Sequence, residues 1–61
     1  MAKLKITDCK LFKAYTNDYV YKDEIIVHPD EIDRIDVGHG CIYVVLLTWS
    51  YIKTENIIKF I

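Results

Sequence analysis

The stretch Cys41–Trp49, which reads CIYVVLLTW, contains the longest apolar run of the chain. β-branched and aromatic residues fit the pleated surface of a sheet, so this stretch predicts a strand. Alternation places on one face Cys41, Tyr43, Val45, Leu47 and Trp49. It places on the other face Ile42, Val44 and Leu46. Because both faces are apolar, the pattern is typical of a central strand that is covered on both sides.

The length of the chain limits how that strand can be covered. The protein has 61 residues, and a domain of about 60 residues buries only about 60% of the surface that its unfolded chain exposes. Three arrangements would cover the second face: a barrel that curls around its core, a second packed sheet, or an oligomer. The same length excludes a two-domain enzyme, a Rossmann fold and a TIM barrel.

The composition predicts a single small all-β domain over residues 1–61. Val, Ile, Thr, Tyr, Phe and Trp contribute 27 residues, whereas the helix-favouring Ala, Leu, Glu, Met and Gln contribute 10. The 52% apolar content excludes disorder. Short strands with tight connections favour a five-stranded antiparallel domain, either an SH3-like barrel or a strongly bent sheet.

Turn-forming residues divide the chain into segments of strand length. In the first, Lys3–Tyr15, the apolar positions change parity around Asp8, which predicts a bulge or bend near Asp8–Lys10. The other segments are Tyr19–His28, Ile32–Val37, Cys41–Trp49, Ser50–Lys53 and Ile57–Ile61. Ser50–Lys53 is either separate from Cys41–Trp49 or continuous with it through a bend, and Ile57–Ile61 is either a strand or one helical turn.

Three connections are expected. Residues 16–18 predict a hairpin turn, and the stretch that begins Pro29-Asp30-Glu31 predicts a short turn. Gly38-His39-Gly40 predicts a three-residue hairpin connection, since two of its residues tolerate positive φ. In the strand that precedes it, we expect Ile35 and Val37 to point inward.

Tyrosines and a tryptophan supply the strongest functional signal. Aromatic side chains bury a large rigid area at low entropic cost, and Tyr and Trp are enriched in binding hot spots. There are more rings than so small a core can hold, so some must lie at the surface. We expect a protein interface, either with another protein or with a second copy, formed by Tyr19, Tyr21, Tyr43, Trp49 and Tyr51.

Charge is unevenly distributed along the chain. The formal net charge is −1, but an acidic run lies in the middle of the chain and contains Asp30, Glu31, Asp33 and Asp36. As an acidic patch it would speed the capture of a basic protein partner by electrostatic steering. Alternatively, the same charges only solvate a turn and discourage edge-to-edge sheet pairing. A Ca²⁺ site is disfavoured because such a loop supplies about six oxygens.

A second class of function uses the basic first segment. Lysines interleaved with aromatic residues on a small barrel hold single-stranded nucleic acid. The candidate face consists of Lys3, Lys5, Lys10 and Lys13. The absence of overall positive charge makes nucleic acid the weaker alternative.

No pattern in the chain indicates catalysis, a cofactor or a metal site. Ser50 is the single serine, and there is no Gly-rich phosphate loop. Cys9 and Cys41 form no metal motif, and we expect two separate reduced thiols that pack as small apolar residues. We therefore expect neither an enzyme nor a metal or cofactor site.

The origin and location of the protein are inferred from composition. The N-terminus lacks the apolar region of a signal peptide and no run reaches membrane-span length, so a cytoplasmic location is expected. Residues with AT-rich codons number 27, against six Gly, Ala, Arg and Pro, which favours a low-GC bacterium or one of its phages. The expected function is a small interaction protein, a regulator or inhibitor that docks on a larger protein. A structural homo-oligomer subunit is a further alternative.

Overall fold

The computed structural model describes residues 2–61, and it confirms an all-β protein built on one antiparallel sheet. The sheet has six strands, where five were expected: β1 Leu4–Phe12, β2 Tyr19–Val27, β3 Ile32–Gly38, β4 Cys41–Leu46, β5 Tyr51–Thr54 and β6 Lys59–Phe60. A single 3₁₀ turn, Pro29–Glu31, connects β2 to β3 where the sequence predicts a turn. The described residues include no α-helix.

β1 is the strand around which the sheet is organised. The order of the strands is β2-β1-β5-β4-β3, and β6 pairs with the first residues of β1. One side of β1 pairs with β2 along nearly its whole length, while its other side is divided between β5 and β6. β2 and β3 are the two ends of the order, so the sheet is open and the closed-barrel form of the expected fold is not confirmed.

The bend that the sequence predicts in β1 lies at Asp8. Asp8 has φ 48, a left-handed conformation within a strand. Leu4 and Ile6 are buried before it, and Cys9 is buried and Leu11 half-buried after it. The change of parity therefore keeps apolar side chains in the core on both sides of the bend.

The core is small and lies between the two parts of the bent sheet. Its buried apolar side chains are Leu4, Ile6, Cys9, Val27, Cys41, Val44 and Ile52. Both thiols are free and buried, as expected of cysteines that pack as small apolar residues. Burial, followed by the charge of Asp8, raises the pKa of the Cys9 thiol, so this thiol is protonated at neutral pH.

One buried polar side chain connects β5 to β1. The Thr54 hydroxyl donates to the carbonyl of Thr7 at 3.0 Å and accepts a hydrogen bond from the backbone N–H of Asn56 at 3.1 Å. The Asn56 side chain donates to the same Thr7 carbonyl at 3.2 Å. The Thr54 hydroxyl therefore has both a hydrogen-bond acceptor and a donor, and this allows a threonine to lie in the core.

The structure corrects the extent of the central strand. β4 ends at Leu46, and Leu47 and Trp49 lie in a turn rather than on a strand face. The Trp49 amide donates to the Leu46 carbonyl at 2.9 Å, and Trp49 has φ 71. A three-residue loop with a left-handed third residue reverses the chain here. The idea that Ser50–Lys53 continues Cys41–Trp49 through a bend is therefore wrong.

Ile35 and Val37 point to the core side of the sheet, as expected, because their partners on β4, Val44 and Ile42, belong to the core or pack against it. They are nevertheless 44% and 77% exposed, since β3 is an edge strand and no element covers these side chains. The turn that follows has two residues rather than three, since Gly38 pairs with Cys41. His39 and Gly40 have φ values of 53 and 76, which match the type I′ turn typical of hairpins.

Candidate functional site

The face of the sheet opposite the core carries two rows of side chains that cross four strands and continue onto β3 at Arg34 and Asp36. Residues paired across neighbouring strands lie on the same face. The register gives a first row of Tyr19, Phe12, Tyr51 and Val45. It gives a second row of Tyr21, Lys10, Lys53 and Tyr43. We use the name aromatic–lysine face for Lys10, Phe12, Tyr19, Tyr21, Tyr43, Tyr51 and Lys53.

The rings of this face form a continuous cluster. Phe12 stacks on Tyr51 with centroids 4.6 Å apart and planes 6° apart, and Tyr19 lies tilted against Phe12 at 5.2 Å. Tyr43 extends the cluster from Tyr51 at 6.4 Å. Such offset and tilted pairs are favourable beyond the area that they bury, so the cluster is a preformed surface.

Two lysines lie side by side at the centre of the face. Lys10 and Lys53 are directly paired across β1 and β5. Lys10 Nζ lies 5.0 Å from the centre of the Tyr19 ring, and Lys53 Nζ lies 5.9 Å from that of Tyr43. Cation–π attraction acts at these distances, but like charges directly opposite each other are destabilising. A negatively charged group placed between the two lysines would relieve that repulsion.

The exposed fraction of the rings leaves surface for a partner to cover. Tyr19 is 51% and Tyr21 is 55% exposed, while Phe12, Tyr43 and Tyr51 are half-buried. A shallow depression adjoins the second row and is lined by Asp8, Lys10, Tyr21, Lys53, Glu55 and Asn56. The face is therefore a broad surface with one shallow recess, a shape suited to docking a macromolecule.

Asp8 fixes one corner of the face. The Tyr21 hydroxyl donates to Asp8 Oδ1 at 2.9 Å, and the Asn56 side chain donates to Asp8 Oδ2 at 3.3 Å. The hydrogen bond to Asp8 raises the pKa of Tyr21, because it stabilises the protonated phenol beside a carboxylate. The bend in β1 thus also orients one of the exposed rings.

Four of the five aromatic residues in the predicted interface lie together. Tyr19, Tyr21, Tyr43 and Tyr51 share the aromatic–lysine face, whereas Trp49 lies in the β4–β5 turn, 55% exposed. Sequence reasoning missed Phe12 and Lys53. The parity change at Asp8 is the signal that would have placed Phe12 and Lys10 on the outer face.

The predicted acidic patch lies at the β3 edge of the molecule. Asp30 and Glu31 lie in the 3₁₀ turn, and Asp33 and Asp36 lie on β3. Arg34 separates these two aspartates: its Nε is 2.9 Å from Asp36 Oδ2, and its Nη1 is 3.5 Å from Asp33 Oδ2. The hydrogen bond to Asp36 raises the pKa of Arg34. The patch therefore contains its own cation, and its remaining charge is smaller than the sequence suggests.

The four lysines of the predicted nucleic-acid face are distributed along the bent strand. Lys3 and Lys5 precede Asp8, and Lys5 Nζ forms an ion pair with Glu24 at 3.2 Å. Lys13 lies in the β1–β2 turn. Lys10 is the member that reaches the aromatic–lysine face, where Lys53 accompanies it.

Within residues 2–61, no group of three or more His, Cys, Asp or Glu side chains could hold a metal ion. None of these residues belongs to a helix that is long and apolar enough to cross a membrane. The chain matches no protein-family model, and no curated protein or solved structure matches it. Its function must therefore be argued from the surface itself.

Proposed function

We propose that this chain is a small non-enzymatic interaction protein, a regulator or inhibitor that docks on a larger protein through the aromatic–lysine face. The observation that carries the proposal is the ring cluster of Phe12, Tyr19, Tyr43 and Tyr51, which crosses four strands. Clustered aromatic side chains, held rigidly and only partly buried, are the usual anchors of protein interfaces.

The lysine pair determines the charge of the preferred partner. Lys10 and Lys53 lie in the middle of the surface, so a partner that covers the rings must also accommodate two adjacent ammonium groups. A carboxylate of the partner would interact with both lysines and remove their repulsion. The docking segment of the partner is therefore acidic, which reverses the basic partner expected from the acidic patch.

Single-stranded nucleic acid is the second candidate for the same face. It is favoured by two lysines that lie among aromatic rings, the combination that binds phosphates and bases together. It is disfavoured by the geometry of the cluster, because Phe12 and Tyr51 already stack face to face and so offer their edges rather than their faces to bases. A protein partner fits this arrangement better.

The test compares capture by the wild-type chain with capture by matched variants. Immobilised protein would be exposed to a lysate of the source cell, and bound proteins would be identified by mass spectrometry. Tyr19→Ala and Lys53→Glu alter the aromatic–lysine face, and Lys59→Glu, on β6, is the charge-matched control. We expect a partner retained by the wild type and by Lys59→Glu and lost with both face variants. A partner bound equally by all four proteins would refute the proposal.

A titration with fluorescent single-stranded oligonucleotides tests the second candidate, single-stranded nucleic acid, independently of a protein partner. Binding at low salt that is lost with Lys53→Glu and weakens steeply as salt is added would favour nucleic acid. No binding at any salt concentration would eliminate it. The folded state of every variant would be checked by circular dichroism.

A further inference from the structure

The free edge of β3 exposes unpaired backbone groups. Among the described residues, β3 pairs with β4 alone. Gly38 and Cys41 flank the two-residue turn and form a hydrogen-bonded pair, and such pairs alternate along an antiparallel ladder. The backbone of Asp36 therefore bonds to Tyr43 of β4, whereas the N–H and C=O of Ile35 and Val37 point toward the open edge.

The charged side chains of β3 would complement those of a second, antiparallel β3 strand. If two β3 strands pair antiparallel around a two-fold axis at Ile35, Arg34 of each strand lies opposite Asp36 of the other. Cross-strand pairs of opposite charge stabilise a sheet. The two Ile35 residues then form the central hydrogen-bonded pair, in agreement with the outward direction of their backbone groups.

Other registers lack this complementarity. A two-fold axis at Arg34 or at Asp36 places like charges directly opposite each other, and it also uses backbone groups that are already bonded to β4. An axis at Val37 places Arg34 outside the ladder, opposite the turn residue Gly40. The axis at Ile35 is therefore the register that satisfies both the charges and the backbone.

The opposite edge of the sheet provides an internal comparison. β2 is also an edge strand, and it carries Lys22, Asp23 and Glu24 in sequence. A two-fold axis at Asp23 would pair Lys22 with Glu24, but it places the two Asp23 carboxylates directly opposite each other. The β2 edge thus discourages self-pairing, whereas β3 does not.

We propose that two copies of this chain associate through antiparallel pairing of their β3 edges, centred on Ile35. The association also brings together the exposed Ile35 side chains of the two copies. Only a short regular stretch is available, because the register shifts by a bulge between Ile32 and Arg34. The dimer is therefore weak and depends on concentration.

Pairing of the edges would join the two sheets into one. A two-fold axis perpendicular to the sheet keeps both aromatic–lysine faces on the same side. Five steps between neighbouring strands separate the two Lys53 residues, which corresponds to about 24 Å at the usual strand spacing. The dimer thus presents two equal docking surfaces side by side, without occupying either of them.

The test uses charge exchange on the full chain. Sedimentation equilibrium would measure the dimerisation constant of the wild type, of Arg34→Asp and of Asp36→Arg. We expect each single variant to dimerise roughly ten- to a hundredfold more weakly, because two attractive pairs become repulsive. An equimolar mixture of the two variants restores opposite charges at both pairs, and so does the double variant R34D/D36R in a homodimer.

A backbone variant tests the geometry separately from the charges. Ile35→Pro removes an N–H that points away from β4, so the monomer keeps its fold while the central pair of hydrogen bonds is lost. We expect a native circular-dichroism spectrum and no dimer. A wild-type chain that stays monomeric up to millimolar concentration would overturn the proposal, and so would single variants that dimerise as well as the wild type.

Discussion

Lys10 and Lys53 are directly opposed across the β1–β5 ladder, at the centre of the face that carries the exposed rings. A protein that only needed a stable sheet would gain by replacing either lysine. The pair is therefore a local cost in stability that a bound anionic group would offset, and its energetics can be measured without knowing the partner.

Replacing one of these lysines with an acidic residue is expected to stabilise the free protein. Lys10→Glu converts a like-charge pair into an opposite pair with Lys53, and should raise the free energy of unfolding by about 0.5–1 kcal/mol at low salt. Urea denaturation at low and high salt measures the effect, since screening should reduce it. Lys10→Met, which removes the charge together with its cation–π contact to Tyr19, should give a smaller gain. A loss of stability in both variants would contradict the repulsion.

The buried hydroxyl of Thr54 should contribute more to the free energy of unfolding than its methyl group does. Thr54→Val keeps the shape but removes the donor to Thr7 and the acceptor for Asn56, so we expect a loss of about 1–3 kcal/mol. Thr54→Ser keeps both hydrogen bonds and is the matched control. Thermal and urea unfolding of the two variants would be compared, and a valine variant as stable as the serine variant would show that the hydroxyl is dispensable.

The turn that contains Trp49 is expected to be strained. A left-handed conformation costs a non-glycine residue roughly 1–2 kcal/mol, while glycine adds roughly 0.5–1 kcal/mol of chain entropy to the unfolded state. Trp49→Gly should therefore leave the protein as stable as the wild type or about 0.5 kcal/mol more stable, despite the loss of a large side chain. Trp49→Val, which tolerates this conformation poorly, should be clearly less stable. The midpoints of urea denaturation give the comparison.

Tyr21 should ionise later than an ordinary tyrosine. Its hydrogen bond to Asp8 raises its pKa in the folded protein above the usual value near 10.0. The hydrogen bond therefore stabilises the fold fully below pH 10 and its contribution is lost as the pH rises through the folded-state pKa. An ultraviolet titration of the wild type, with Tyr21→Phe to assign the signal, measures the shift. Asp8→Asn should return this pKa toward its usual value.

Local patterns predicted the parts of the fold that depend on neighbouring residues. The parity change between Ile6 and Cys9 located the bend because a strand that buries one face must place every second side chain inward. The two glycines near His39 marked the β3–β4 hairpin because its turn needs positive φ.

The features that were missed depend on residues far apart in sequence. The charges of Asp33 and Asp36 are compatible with an exposed edge, but the place of β3 at one end of the sheet is set by which strands pair elsewhere. The end of β4 was missed because Leu47 prolongs the apolar run and Thr48 and Trp49 are strand-favouring residues, although the chain reverses there. Similarly, Lys53 lies opposite Lys10 only because of the register of β5 on β1, so their pairing could not be predicted from the sequence.

The division of one side of β1 between β5 and β6 has a consequence for how the molecule folds. Lys3 exchanges two backbone hydrogen bonds with Ile61, at 2.9 and 2.8 Å, and Leu4 pairs with Phe60. Chain entropy must be lost before such distant pairs form, and non-local pairing slows folding. The β3–β4 hairpin can form early, but the pairing of β1 with β5 and β6 requires the C-terminal part of the chain to reach β1. Stopped-flow refolding should accordingly be slower than that of a helical protein of equal length.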